Sequence, residues 1–141
     1  MLLFMSGNIF RHQHRVTYAE CTIGNHIYYA RYLNLLEEAR GEFCRSIGEP
    51  LLKWQEADVI FPVIECRIRY KAPARYDDVL TIELWLASLE RVRLEIGCRI
   101  LNQTGAEILV GSTTHACTSV NEELRRIPEA LASKLAPFLA K

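Results

Sequence analysis

The sequence predicts an α+β domain in which a curved antiparallel sheet of about five strands wraps one long helix. Three observations predict it. One extended stretch with helical periodicity comes early in the chain, and it is the only long one. Four segments of two-residue alternation follow it. Glycine, asparagine and proline signals separate these segments at short intervals, as tightly connected antiparallel strands require.

Residues 11–18 read as the first strand, because Val16, Thr17 and Tyr18 favour extended structure. Residues 19–25 form a turn that ends in Gly24 and Asn25. Over residues 26–47, Tyr28, Tyr32, Leu35, Leu36, Ala39 and Phe43 recur at spacings of three and four, which makes one apolar stripe on a helix of roughly 30 Å. Asn25 is the expected N-cap, Gly48 the expected stop, and Pro50 follows. Residues 51–57 are a connector or a helical turn. The period then changes. Residues 59–70 alternate from Ile64 onward, with Ile64, Cys66, Ile68 and Tyr70 on one face and Glu65, Arg67 and Arg69 on the other. Residues 80–86, 92–100 and 107–120 supply three further strands, and residues 102–105 (NQTG) form the hairpin turn between the last two. A short C-terminal helix is expected over residues 128–139, interrupted near Pro137. The whole chain, residues 1–141, reads as one domain with its core within about residues 11–128. A lone amphipathic helix and a sheet with one apolar face bury each other, and that arrangement is the hotdog fold.

Composition narrows the function classes. Seventeen basic residues balance seventeen acidic ones, which argues against a nucleic-acid binder driven by a strong positive field. The five cysteines are scattered without a C-x-x-C pair, so reduced thiols in a cytoplasmic protein are expected rather than disulfides or a zinc site. The apolar opening, residues 1–5, is too short to span a bilayer and lacks the layout of a signal peptide. No metal, cofactor, membrane or nucleic acid is implied.

Three segments carry a family resemblance. The first runs VTYAE (residues 16–20) into GNHIYYARYL (24–33) and LEEAR (36–40), the second is IRYKAPARYDD (68–78), and the third is the strand ending in His115, Ala116 and Cys117. Together they resemble the acyl-CoA thioesterases of the 4-hydroxybenzoyl-CoA thioesterase type. In that family an aspartate in the turn before the helix acts on the thioester carbonyl, and a backbone N–H at the helix start polarises the carbonyl oxygen. The resemblance puts the aspartate position at Thr22 and the oxyanion donor at the N–H of Tyr29. Thr22 is not a carboxylate and is no base at neutral pH. In this respect the chain looks like the hotdog thioesterases found beside enediyne polyketide synthases. Those act on carrier-protein-bound polyenes and use polar positioning groups, including a helix arginine that would here be Arg40.

The residues themselves supply the chemistry. A helix N-terminus presents unpaired N–H groups and about half a positive charge to a developing oxyanion. Thr22 either orients water or binds its own turn. Glu20, the nearest carboxylate, is a displaced base or a solvated strand-end charge. Asn25 reads first as a cap, and His26 is suited to bonding the thioester or titrating near neutrality. Tyr28, Tyr29 and Tyr32 line the first turns, mostly as core. Arg40 sits on or beside the apolar stripe and needs a partner, with Glu37 one turn away, or else positions the acyl group. Arg67, Arg69, Lys71 and Arg75 suit a phosphate, a phosphopantetheine arm or an acidic carrier protein, or form a solvated face. The expected function is water attack on an acyl-CoA or acyl carrier protein thioester. Catalysis is assigned to Thr22, Asn25, His26, Tyr29, Arg40 and Glu20, and substrate contact to Tyr28, Tyr32, Arg67, Arg69 and Arg75, in a homodimer or homotetramer whose site lies at the subunit interface. Two alternatives stand beside it. One is a hotdog dehydratase or hydratase using His26 with Glu37 or Glu38. The other is an acyl-thioester-binding protein without catalysis.

Overall fold

Strand β1 covers Phe10–Arg15 and ends earlier than its strand-favouring neighbours suggest. The reason is local. Thr17 and Glu20 form a reciprocal capping box around a single 3-10 turn, Tyr18–Glu20, which takes Tyr18 out of the strand. The computed structural model describes residues 7–140, so the apolar opening lies outside the described residues. Two-residue strands β2 (Cys21–Thr22) and β3 (His26–Ile27) then pair as a miniature hairpin.

Helix α1 spans Arg31–Ser46, starting five residues later than expected. Asn25 is not its N-cap. With φ 57° Asn25 occupies the left-handed region, closing the β2–β3 hairpin, a place where asparagine is tolerated as well as it is at a cap. Ala30 caps the helix instead, with no side-chain hydrogen bond. The stop at Gly48 holds, with φ 76° as a C-terminal glycine requires. Pro50 starts the short helix α2, Leu51–Glu56.

Strands β4 (Val63–Tyr70), β5 (Val79–Leu89), β6 (Arg93–Leu101) and β7 (Glu107–Ala116) complete a five-stranded antiparallel sheet in the order β1-β5-β6-β7-β4. The final strand is shorter than expected, because the chain after Ala116 leaves the ladder and continues only in isolated bridges, Thr118 meeting Ile60 and Leu124. Helix α3 (Glu129–Leu135) breaks into a 3-10 turn, Ala136–Phe138, around Pro137. The alternating residues Leu80, Ile82, Leu84 and Leu86 of β5, with Ile100 and Leu109, are fully buried together with Leu35, Leu36, Ala39 and Phe43 of α1. One apolar stripe therefore lies in the trough of one apolar sheet face, as the spacing predicts.

Strand β4 is the exception to that pattern. It is a sheet edge, and its apolar residues Val63, Ile64 and Tyr70 are exposed. Its seat on β7 depends on Gly111, where an added Cβ would come 2.0 Å from the backbone oxygen of Arg67. Gly111→Ala is therefore expected to destabilise the fold by about 1–3 kcal/mol through overpacking against backbone. An unchanged urea midpoint would show that β4 shifts at no cost.

Candidate active site

The start of α1 is built from three pieces: the β2–β3 hairpin, the turn Tyr28–Arg31, and the loop between β4 and β5. Arg75 fastens the hairpin, its Nη1 donating to the carbonyls of Gly24 (3.2 Å) and Asn25 (3.3 Å). Tyr76 N–H donates to Asn25 Oδ1 at 3.3 Å, and Ile27 N–H donates to Ala74 O at 2.9 Å. The Asn25 side-chain oxygen thus locks the loop, while its side-chain nitrogen makes no hydrogen bond among the described residues.

The peptide between Tyr28 and Tyr29 is oriented at both ends. Arg31 N–H donates to Tyr28 O at 2.8 Å, so that carbonyl points into the helix. In a trans peptide the N–H points the opposite way, so Tyr29 N–H faces outward from the tip of α1. Tyr70 Oη donates to Tyr29 O at 2.9 Å and fixes the next peptide. No hydrogen bond among the described residues engages Tyr29 N–H, and the residue is 61% exposed. The first turn of α1 contains no acidic side chain, so nothing on the helix neutralises the positive end of its dipole.

Thr22 stands exposed on this hairpin, and its hydroxyl makes no hydrogen bond among the described residues. His26 lies on β3 rather than on the helix; its Nδ1 is 3.2 Å from Ile27 O and donates to it, while its Nε2 makes no hydrogen bond among the described residues. Tyr28 is half-exposed. Tyr32, expected as a substrate contact, is only 3% exposed; its hydroxyl accepts Ala74 N–H at 3.1 Å, and burial pushes its pKa up. It belongs to the core.

Glu20 is neither a solvated charge nor a free base. Its carboxylate accepts Thr17 N–H at 2.8 Å and contacts His14 Nε2 at 2.9 Å. Burial acts to raise its pKa, but these bonds outweigh burial and hold it below the usual value, which makes it a weaker base. Glu38 is likewise engaged, by His12 and His14. Among the described residues neither Glu37 nor Glu38 pairs with His26, the arrangement expected of a dehydratase.

Arg40 is in a different place. Counting along the helix puts it about 15 Å from the tip at 1.5 Å per residue. It lines an apolar cavity of about 310 Å³ with Phe43, Cys44, Trp54, Leu94 and His115. Glu37 borders the same cavity, yet no hydrogen bond or ion pair among the described residues engages Arg40. Burial pulls its pKa down, opposed by the charge of Glu37; a guanidinium nevertheless stays charged. His115 was not singled out by sequence as a site residue. It is buried, its Nδ1 donates to Phe61 O at 3.1 Å, and Thr113 Oγ1 donates to its Nε2 at 2.9 Å. Burial is the first of the causes that keep it below the ordinary histidine value. Its place on β7 after Thr113, one strand period apart, was the available signal.

On β4, Arg67 pairs with Glu65 at 2.9 Å, and Arg69 is exposed. The basic residues expected as one cluster are therefore divided, with Arg75 at the hairpin and Arg67 and Arg69 along the open edge. Among the described residues no group of His, Cys, Asp or Glu is arranged to hold a metal ion, and no helix is long and apolar enough to cross a membrane.

Residues 24–109 match the family model described as the thioesterase superfamily. The acyl-CoA thioester hydrolase YbgC of Escherichia coli is 32% identical over 111 residues, covering 75% of this chain and 83% of that protein. Among solved structures, the protein TT1821 of Thermus thermophilus superposes with a TM-score of 0.84 at 30% identity, covering 91% of this chain and 98% of that one. A protein of Bartonella henselae described as a probable thioesterase gives 0.80 at 25% identity, covering 86% and 100%.

Proposed function

The chain belongs to the thioesterase superfamily, and from that premise we propose that it hydrolyses an acyl thioester of coenzyme A or of an acyl carrier protein at the tip of α1. The outward, unengaged N–H of Tyr29 carries the proposal. Water adds to the thioester carbonyl, and its oxygen takes negative charge against that N–H and the uncompensated end of the helix dipole. Collapse breaks the C–S bond. The thiolate leaves and takes up the proton that the water gives up, releasing free thiol and carboxylic acid.

With Thr22 where the family has its aspartate, the side chains act by positioning. The Thr22 hydroxyl, the Asn25 side-chain nitrogen and His26 Nε2 make no hydrogen bond among the described residues, and each suits an attacking water or the thioester. Glu20 is not assigned the base, since its carboxylate is already engaged. Arg40, too far along α1 to serve its own chain's tip, fits a site shared between two copies. The open β4 edge with its exposed apolar residues supports a homodimer or homotetramer that joins sheets there. Arg75, Tyr28 and the edge arginines Arg67 and Arg69 then suit the phosphate and pantetheine arm. Thr22 and Arg40 together support placing the chain near the enediyne-associated branch.

The test is a thiol-release screen over acyl-CoAs of varied chain and over acylated carrier proteins. Thr22→Ala, His26→Ala and Arg40→Ala are each expected to lower kcat/KM by about tenfold or more, which is roughly 1.4 kcal/mol of transition-state binding. Glu20→Gln is expected to act less on kcat than they do. If Glu20→Gln alone abolishes turnover, a carboxylate base is at work and positioning is the wrong mechanism. Tight acyl-thioester binding without thiol release from any donor would replace hydrolysis by a binding role, the reading that a threonine at position 22 also favours.

A further inference from the structure

The outer strand β1 turns two histidines toward α1, and they meet two carboxylates from other elements. His12 Nε2 lies 2.7 Å from Glu38 Oε2. His14 Nδ1 lies 3.1 Å from that same oxygen, and His14 Nε2 lies 2.9 Å from Glu20 Oε1. An ionised carboxylate only accepts hydrogen bonds. Glu20 also accepts Thr17 N–H, and Glu38 also faces His12. A ring set between two ionised carboxylates satisfies both only with a proton on each nitrogen, so this geometry suits the imidazolium form of His14.

The two carboxylates belong to parts that the proposed reaction needs held together. Glu20 ends the 3-10 turn that leads directly into Cys21 and Thr22, and its carbonyl accepts Tyr28 N–H at 3.2 Å, one residue before the oxyanion donor. Glu38 sits in the body of α1. We propose that His14 is a positioning residue: its imidazolium clasps the Thr22 hairpin to α1, and loss of its proton releases the hairpin and lowers turnover at alkaline pH. This rests on the reading that the hairpin and the Tyr29 amide form the reaction centre.

The groups facing His14 are Glu38 from α1, Glu20 from the 3-10 turn and His12 from its own strand, while the residue opposite it on β5 is Leu80. Burial disfavours the charged ring, but the bonds and charges of Glu20 and Glu38 outweigh burial and hold His14 above the ordinary histidine value. A raised pKa means the clasp is fully made below about 6.5. It is lost as pH rises through the folded value. Glu20 and Glu38 are held below their ordinary values, so they contribute above that range and fail only in acid.

The experiment combines histidine NMR titration, amide exchange over residues 21–28 and thiol-release pH profiles, for the wild type, His14→Gln and His14→Lys. His14 is expected to titrate above ordinary histidine, with hairpin exchange rising and kcat falling at the same midpoint. His14→Gln should lose that alkaline limb, with kcat lowered about tenfold at pH 6 and KM little changed. His14→Lys should restore kcat at pH 6 and move the limb to higher pH, since an ammonium offers donors to both carboxylates. A neutral His14 ring at pH 6, or hairpin exchange that ignores its titration, overturns the clasp. Exchange that follows His14 while the turnover profile stays flat overturns the positioning role and removes the hairpin from the reaction, even if thiol release itself persists.

Discussion

Tyr29→Pro is expected to lower kcat for thiol release by about 100- to 1,000-fold, the usual effect of deleting one oxyanion donor, while Tyr29→Phe leaves it within a few fold. The substitution is well suited to the question. Arg31 N–H closes a four-residue turn onto Tyr28 O, which makes Tyr29 the second residue of that turn, and proline is favoured there. Tyr29 also precedes the hydrogen-bonded ladder of α1, where a missing N–H breaks nothing. Proline therefore removes the donor together with the Tyr29 ring, which packs on Tyr28 at 4.9 Å and edge-on to Tyr70 at 6.3 Å; Tyr29→Ala, which loses the ring and keeps the N–H, is the matched control and is expected to retain most of kcat. Circular dichroism and steady-state thiol release decide the matter together. A folded Tyr29→Pro enzyme with wild-type kcat would mean that the oxyanion is stabilised elsewhere.

Phe43→Ala is expected to have the largest effect on stability, about 3–5 kcal/mol. Phe43 is 1% exposed and joins three parts of the chain. Its ring stacks on Phe10 of β1 at 5.2 Å and meets Phe138 of the C-terminal 3-10 turn edge-on at 4.7 Å. Removing it deletes transfer energy, two aromatic contacts and the wall of an existing cavity. Since a domain is stable by only about 5–15 kcal/mol, the variant should unfold at far lower urea with an unchanged slope. A loss below about 1 kcal/mol would mean that the site collapses around the missing ring.

Sequence periodicity located α1, the long strands and the Asn102–Gly105 turn because each rests on local chemistry. It misplaced the start of α1 for a local reason too. Gly24-Asn25 serves equally as a helix cap or a left-handed hairpin turn, and Tyr28 keeps helical spacing with Tyr32 although it precedes the helix. Tyr29 N–H emerged at the helix tip even so, because the resemblance fixed its position by motif rather than by helix boundary. The His12–His14–Glu38–Glu20 group was not visible at all, since its members come from three elements and meet only through β1 lying beside α1. Arg40 was singled out by the resemblance, as the helix arginine; of its two readings the local pair with Glu37 does not form, and the surrounding cavity follows from packing alone.

Strand β4 carries its charges as a ramp: Glu65 near its start, then Arg67, Arg69 and, just beyond it, Lys71. An extended chain that lies along the free edge meets this gradient before it meets any pocket. A copy of the strand laid head to head would set like sign against like, whereas one laid head to tail sets its acidic end beside the basic one. The rim that looks most adhesive is thus polarised, and it discriminates by direction as well as by composition.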